Sequence, residues 1–153
     1  MTVTRTAKLK RTAAAILAII GWAALVLQFW LLMRAAGVMA LSPIEASIRF
    51  FSYFTIQSNI LAALVLTAFA FKGGPDEWLV HPFVRSAVAA YIAMVGLVYV
   101  VLLRHLWSPV GAQWIADVAL HYVMPVGYLA FWLACVRKSG LRWYDPLLWL
   151  LYP

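Results

Sequence analysis

Carboxylates are scarce in this sequence: Asp and Glu total five, against twelve Lys and Arg, in 153 residues. Charged residues of either sign make up 11%, under half of the roughly 25% found in ordinary soluble domains. A soluble domain of this size needs far more polar surface, so that class is excluded. There is a single cysteine, Cys135, which rules out an intrachain disulfide and says nothing about compartment. It falls inside an apolar run and reads as a small buried hydrophobe. No repeat of fixed period and no low-complexity tract is visible, so solenoids and disordered linkers are excluded as well.

Apolar residues fill the space that charge leaves, at 66% of the chain. The basic residues gather in short segments that flank apolar runs, as the positive-inside rule places them in membrane proteins. A net charge of +7 therefore does not point to nucleic acid, since no basic face or recognition motif accompanies it.

The pattern predicts an all-α, polytopic transmembrane bundle forming one domain. Four spans are expected, at about Ala13 to Met33, Phe50 to Phe71, Ser86 to Leu103 and Trp114 to Val136. The first has about twenty-one residues, or roughly 31 Å, enough to cross the hydrocarbon core and too long for the apolar part of a signal peptide. A fifth run begins at Asp145-Pro146 and stops at Pro153. It is too short to cross. It reads as the start of a fifth span in a C-terminally truncated chain, or alternatively as a segment lying in the interface.

Lys and Arg counts set the expected orientation. With the N-terminus inside, the inner segments hold Arg5, Lys8, Lys10, Arg11, Lys72, Arg85, Arg137, Lys138 and Arg142, against Arg34, Arg49 and Arg104 outside. Nine against three places the N-terminus in the cytoplasm. Trp30, Trp107 and Trp114 mark an outer aromatic belt, and Trp78, Trp143 and Tyr144 an inner one. Lys72 to Glu77 reads as a turn-rich cytoplasmic loop.

Polar side chains inside spans are costly, and are functional candidates for that reason. In the second span, Ser52, Thr55 and Asn59 recur at helical spacing and share a face. Ser58 lies beside that face, and Gln57 points elsewhere. Gln28 is the only strongly polar side chain of the first span. The fourth span carries Asp117 and His121 four residues apart, on one face. Pro125 follows and leaves the His121 carbonyl without its helical donor, so a kink is expected there.

Depth brings these residues together. Thr55 lies about 8 Å and His121 about 10 Å into their spans by helical rise, from the same side. Asp117 and His105 lie slightly higher. The predicted arrangement is one polar cluster in the outer half of the bundle, with His81 in a loop on the opposite side. A Thr hydroxyl needs an adjacent base to act as a nucleophile. His121 is the best base, and Asp117 could hold its tautomer. Asn59 or Ser58 could donate to a developing oxyanion. No cofactor is required. His105, Asp117 and His121 have the ligand types of a facial triad, but without a metal-site spacing no metal is assigned. The same polar residues also suit two other roles: helix–helix hydrogen bonding, and a cavity that binds or transports a small lipophilic ligand.

At these residues the chain resembles the androgen-induced membrane proteins, a family of intramembrane threonine hydrolases, and their uncharacterised bacterial multi-pass relatives. The resemblance rests on the aromatic-rich start of the second span with its Thr, Phe50 to Asn59 with Thr55, and on a His shortly before a Pro, Trp114 to Pro125 with His121. It covers about residues 13 to 153. It implies Thr55 as nucleophile, His121 as base, fatty-acid esters of hydroxy fatty acids as the substrate class, membrane lipids as surroundings, and a bacterial cytoplasmic membrane as the location.

Overall fold

A computed structural model describes residues 2–71, 78–106, 108–138 and 140–152. The expected loop Lys72 to Glu77 and the belt residue Trp107 lie outside them. Among the described residues the chain is all-helical, with four helices long and apolar enough to cross a membrane: Arg5–Val38, Phe54–Phe71, Pro82–Leu103 and Ala112–Cys135. Their outward faces are apolar. Ile16, Ile19, Val26, Met94, Leu97, Val126 and Leu133 are all exposed. So broad an apolar surface suits lipid and not water. This is a multi-pass membrane architecture.

Helix α1 is Thr2–Val38, and its start defines the N-terminal end of the bundle. Ser42 then caps α2, Pro43–Ser52, through a capping box. Its hydroxyl accepts from the Glu45 N–H, and the Glu45 carboxylate accepts from the Ser42 N–H. This arrangement satisfies two donors that a helix start leaves open.

The expected second span is not one helix. Tyr53 is extended, with φ −73° and ψ 123°, so α2 ends at Ser52 and α3 runs Phe54–Phe71. The predicted face of Ser52, Thr55 and Asn59 is thereby broken, and the Ser52 hydroxyl donates to the Arg49 carbonyl. Apolar patterning could not reveal the break, because Phe50 to Phe54 is aromatic on both sides of it.

Helix α4 begins at Pro82, capped by His81, whose ring accepts from the Phe83 N–H. It starts four residues before the predicted Ser86, so Arg85 is helical and not part of a connecting loop. Its last turn, Tyr99–Leu103, is a π-turn in which the Arg104 N–H bonds the Tyr99 carbonyl. Gly111, at φ 59°, precedes α5, Ala112–Val118. A second π-turn, Ala119–Val123, joins α5 to α6, Met124–Cys135. Helix α7, Asp145–Trp149, has five residues and crosses nothing. It rests on α4, where Trp149 meets Phe83 edge-on and its carbonyl accepts from the Tyr91 hydroxyl.

Small residues let the helices approach closely, as in other membrane bundles. Ala14 and Ala18 of α1, Ala62 of α3 and Ala89 of α4 are buried in the core beside Met124 and Tyr128 of α6. Gly21 admits Met124, because a Cβ there would stand 2.8 Å from the Met124 Cε. Specific bonds tie α6 to α4: the Trp132 indole donates to the Ser86 hydroxyl, and the Tyr128 hydroxyl to the Arg85 carbonyl. At the N-terminal end, Arg11 donates to the last carbonyls of α3, Ala70 and Phe71, and Lys10 to Ala134 of α6. Cations there complement the negative ends of both helices.

Candidate functional site

At the other end of the bundle, α1, the α2–α3 corner, α4 and α5 enclose a cavity of about 470 Å³. Eight of its lining residues are apolar: Leu31, Leu32, Ala35, Phe50, Ile56, Leu103, Leu106 and Leu120. Seven carry polar atoms: Gln28, Tyr53, Thr55, Tyr99, Gln113, Asp117 and His121. An apolar chamber with a few convergent polar groups is the usual form of a small-molecule site.

The break at Tyr53 places Thr55 second in α3, half-buried, facing the cavity. A helix start leaves its first N–H groups without intrahelical acceptors. The Tyr53 carbonyl takes the Ile56 and Gln57 N–H groups, so the open donors are those of Phe54 and Thr55.

His121 sits in the π-turn between α5 and α6. Its Nδ1 lies 3.1 Å from the Asp117 carbonyl oxygen and 3.3 Å from the Asp117 Oδ1. With the Nδ1 proton donated to Asp117, Nε2 carries the lone pair. Asp117 is 5% exposed, and its other oxygen accepts from the Tyr99 hydroxyl. Tyr99 also stacks on the His121 ring, with centroids 4.0 Å apart and planes 18° from parallel. Base, carboxylate and phenol therefore form one assembly. Both π-turns meet here, since Tyr99 opens one and His121 lies within the other. Such turns are frequent at functional sites.

The other expected site residues are placed differently. Asn59 and Ser58 are fully buried and do not line the cavity. The Asn59 amide nitrogen donates to the Thr55 and Leu120 carbonyls, which leaves it no proton for an oxyanion. Its task follows from the π-turn. The Met124 N–H bonds the Ala119 carbonyl, five residues back. The donor due to Leu120 in that register would be Pro125, which has none. The unmet carbonyl is therefore that of Leu120, and not only that of His121 as helical spacing predicts. Asn59 supplies the missing bond and ties α3 to the turn. His105 is exposed and stands outside the cavity wall. Among the described residues no three His, Cys, Asp or Glu are grouped to hold a metal. Gln57 faces away, donating to the Phe51 carbonyl and accepting from the Tyr152 hydroxyl.

Four cavity residues are absent from the predicted cluster: Tyr53, Tyr99, Gln28 and Gln113. Gln113 donates to Gln28 across the cavity, bridging α1 and α5. Gln28 was open to detection. It lies about five residues from its span's outer end, the depth that selects Thr55. Tyr99 gave a weaker signal, because Tyr near a span end reads as interface aromatic.

Comparison with models of protein families, with curated proteins and with solved structures finds no match to this chain.

Proposed function

We propose that this protein is an intramembrane lipid ester hydrolase in which Thr55 is the nucleophile and His121 its base. One observation carries the reading: Thr55 and a His121 imidazole already oriented by Asp117 line the same largely apolar cavity. In the first step His121 Nε2 takes the Thr55 proton as Oγ attacks the ester carbonyl carbon. The tetrahedral oxyanion forms beside the start of α3, where the open Phe54 and Thr55 N–H groups and the helix dipole favour negative charge. The intermediate collapses by breaking the ester C–O bond, and His121 gives its proton to the departing alkoxide. Water then attacks the acyl-threonine. His121 removes the water's proton and returns it to Thr55, and the carboxylic acid is released. Neither step calls for a cofactor.

The reading extends to kinship and placement. The chain is a bacterial relative of the androgen-induced threonine hydrolases, with its N-terminus on the cytoplasmic side. The short motifs around Thr55 and His121 support the first part. The Lys and Arg distribution supports the second.

A second reading has a specific observation in its favour. The donors of Asn59 are committed to backbone carbonyls, so the amide expected to serve an oxyanion beside Thr55 does not do so. A cavity that only binds or carries a lipophilic ligand needs none.

A fluorophosphonate probe applied to the detergent-solubilised protein separates the two readings. Hydrolase chemistry predicts labelling at Thr55 that is lost in Thr55→Ala and His121→Ala, with hydrolysis of lipid esters lost in parallel. Well-folded wild type that neither labels nor cleaves a panel of lipid esters would overturn it and leave ligand binding.

A further inference from the structure

Arg85 lies at the end of the bundle opposite the cavity, in the first turn of α4, and is 8% exposed. Its guanidinium sits 5.0 Å from the ring centroid of Phe69 and 6.0 Å from that of Phe131. The Nε is buried with no hydrogen-bond partner, and no described residue forms an ion pair with the group. The described carboxylates are engaged elsewhere. Glu45 is held by Ser42, Asp117 by Tyr99 and His121, and Asp145 by the Arg142 N–H.

A buried cation that no described residue pairs is unusual, because removing it from water is compensated only by a counter-charge and hydrogen bonds. Aromatic faces attract a guanidinium but accept none of its protons in a strong bond. Other cations crowd the same end. Lys10 donates to the Ala134 carbonyl, and Lys138 to the carbonyls of Leu133 and Val136. All three basic side chains thus gather around the last turn of α6.

We propose that Arg85 anchors a phosphate-binding site at this end of the bundle, flanked by Lys10 and Lys138. The planar fork of a guanidinium takes two phosphate oxygens at once. Arg85 is three residues beyond Pro82, or about 5 Å along the helix, which puts it at the depth of lipid headgroups. Basic pockets between spanning helices hold anionic headgroups by this chemistry. The phosphate is carried either by an anionic phospholipid or by free inorganic phosphate. The site is independent of the hydrolase reading.

The full chain in phosphatidylcholine nanodiscs, with phosphatidylglycerol added in steps, tests the proposal. Bound lipid is counted by native mass spectrometry. Wild type should retain phosphatidylglycerol in preference to phosphatidylcholine. Arg85→Gln should weaken that retention about tenfold or more, the worth of a hydrogen bond to a charged group. Arg85→Lys should fall between them, and Lys8→Gln, on the exposed start of α1, should match wild type. A parallel arm titrates inorganic phosphate into lipid-free detergent samples and follows the melting temperature. A rise that is lost in Arg85→Gln supports the site and assigns it to free phosphate. A response to phosphatidylglycerol alone assigns it to lipid. If wild type prefers neither ligand, or if folded Arg85→Gln or Arg85→Lys binds as well as wild type, the proposal is overturned. The wild-type arm decides even where Arg85→Gln does not fold.

Discussion

Tyr99 covers one face of the His121 imidazole and at the same time donates its hydroxyl to Asp117, the carboxylate that holds the Nδ1 edge of that imidazole. The two contacts act together on the charged form of the ring. A stacked phenol attracts a cation, and a fixed carboxylate stabilises an imidazolium. Both effects grow when His121 accepts a proton, which is when a base needs them.

Tyr99→Phe keeps the stack and removes the bond to Asp117. Hydrolysis or probe labelling should slow about tenfold, since a positioned proton-transfer group contributes about 10²–10⁴ in all. Tyr99→Leu removes both contacts and should slow it further. The check is the labelling rate against pH. A purely structural Tyr99 would lower the melting temperature in both variants and leave the labelling rate of the folded fraction unchanged.

Asn59 should matter for stability and not for proton transfer. Asn59→Leu keeps the branched shape with somewhat larger ends and leaves the Leu120 carbonyl unbonded. It should cost about 1–2 kcal/mol, the range for buried hydrogen bonds between membrane helices. Asn59→Asp should be worse, because it points an acceptor at two carbonyl oxygens. Thermal unfolding in detergent gives the order, and equal melting temperatures for all three proteins would rule the bridge out.

Gly96 allows the crossing of α4 over the π-turn. A Cβ there would lie 3.0 Å from the Pro125 Cβ and 3.5 Å from the His121 carbonyl oxygen. A proline ring cannot turn aside as a long side chain does. Gly96→Ala should therefore destabilise by about 1 kcal/mol, and Gly96→Leu by about 3 kcal/mol or more, as overpacking does. Melting curves would show it. A Gly96→Leu protein as stable as wild type would mean that the two helices separate freely.

The α2 capping box should respond to acid. Bonds from the Ser42 N–H and hydroxyl hold the Glu45 carboxyl below its usual value of 4.5. A lowered folded pKa stabilises the folded form above the unfolded value and stops doing so as pH falls through the folded one. Hydrogen exchange of the α2 amides should hence accelerate as pH drops below about 4.5, after correction for intrinsic rates, and Glu45→Gln should abolish that dependence. An identical profile in both proteins would contradict the cap.

The spans were legible because length and apolarity encode them directly. The fourth, expected from Trp114 to Val136, is Ala112–Cys135 in the structure. The kinks were less legible. Pro125 announces a disturbance, but whether the turn tightens or widens depends on what meets the freed carbonyl, and Asn59 comes from another helix. Nothing in the aromatic run around Tyr53 marks it as extended. Depth arithmetic put Thr55 and His121 at one level from helical rise alone. It also drew His105 into the cluster, slightly higher, whereas His105 lies in the exposed turn past the end of α4, because rise along a span does not say where its helix stops. Asn59 shows the converse: its spacing from Thr55 is that of a neighbour on one face, yet it turns to the protein and not to the cavity.

A π-turn is a helix with one residue too many. The segment Ala119–Val123 therefore acts as a phase shifter. Asp117 is set by the winding of α5, and Pro125 and everything after it by that of α6. Winding the same residues as ordinary α-helix would turn one half against the other by about 100°. Either the Asp117–His121 pair would leave the cavity, or Tyr128 and Trp132 would leave Arg85 and Ser86 on α4. The widened turn is what allows a single helix to serve both ends of the bundle.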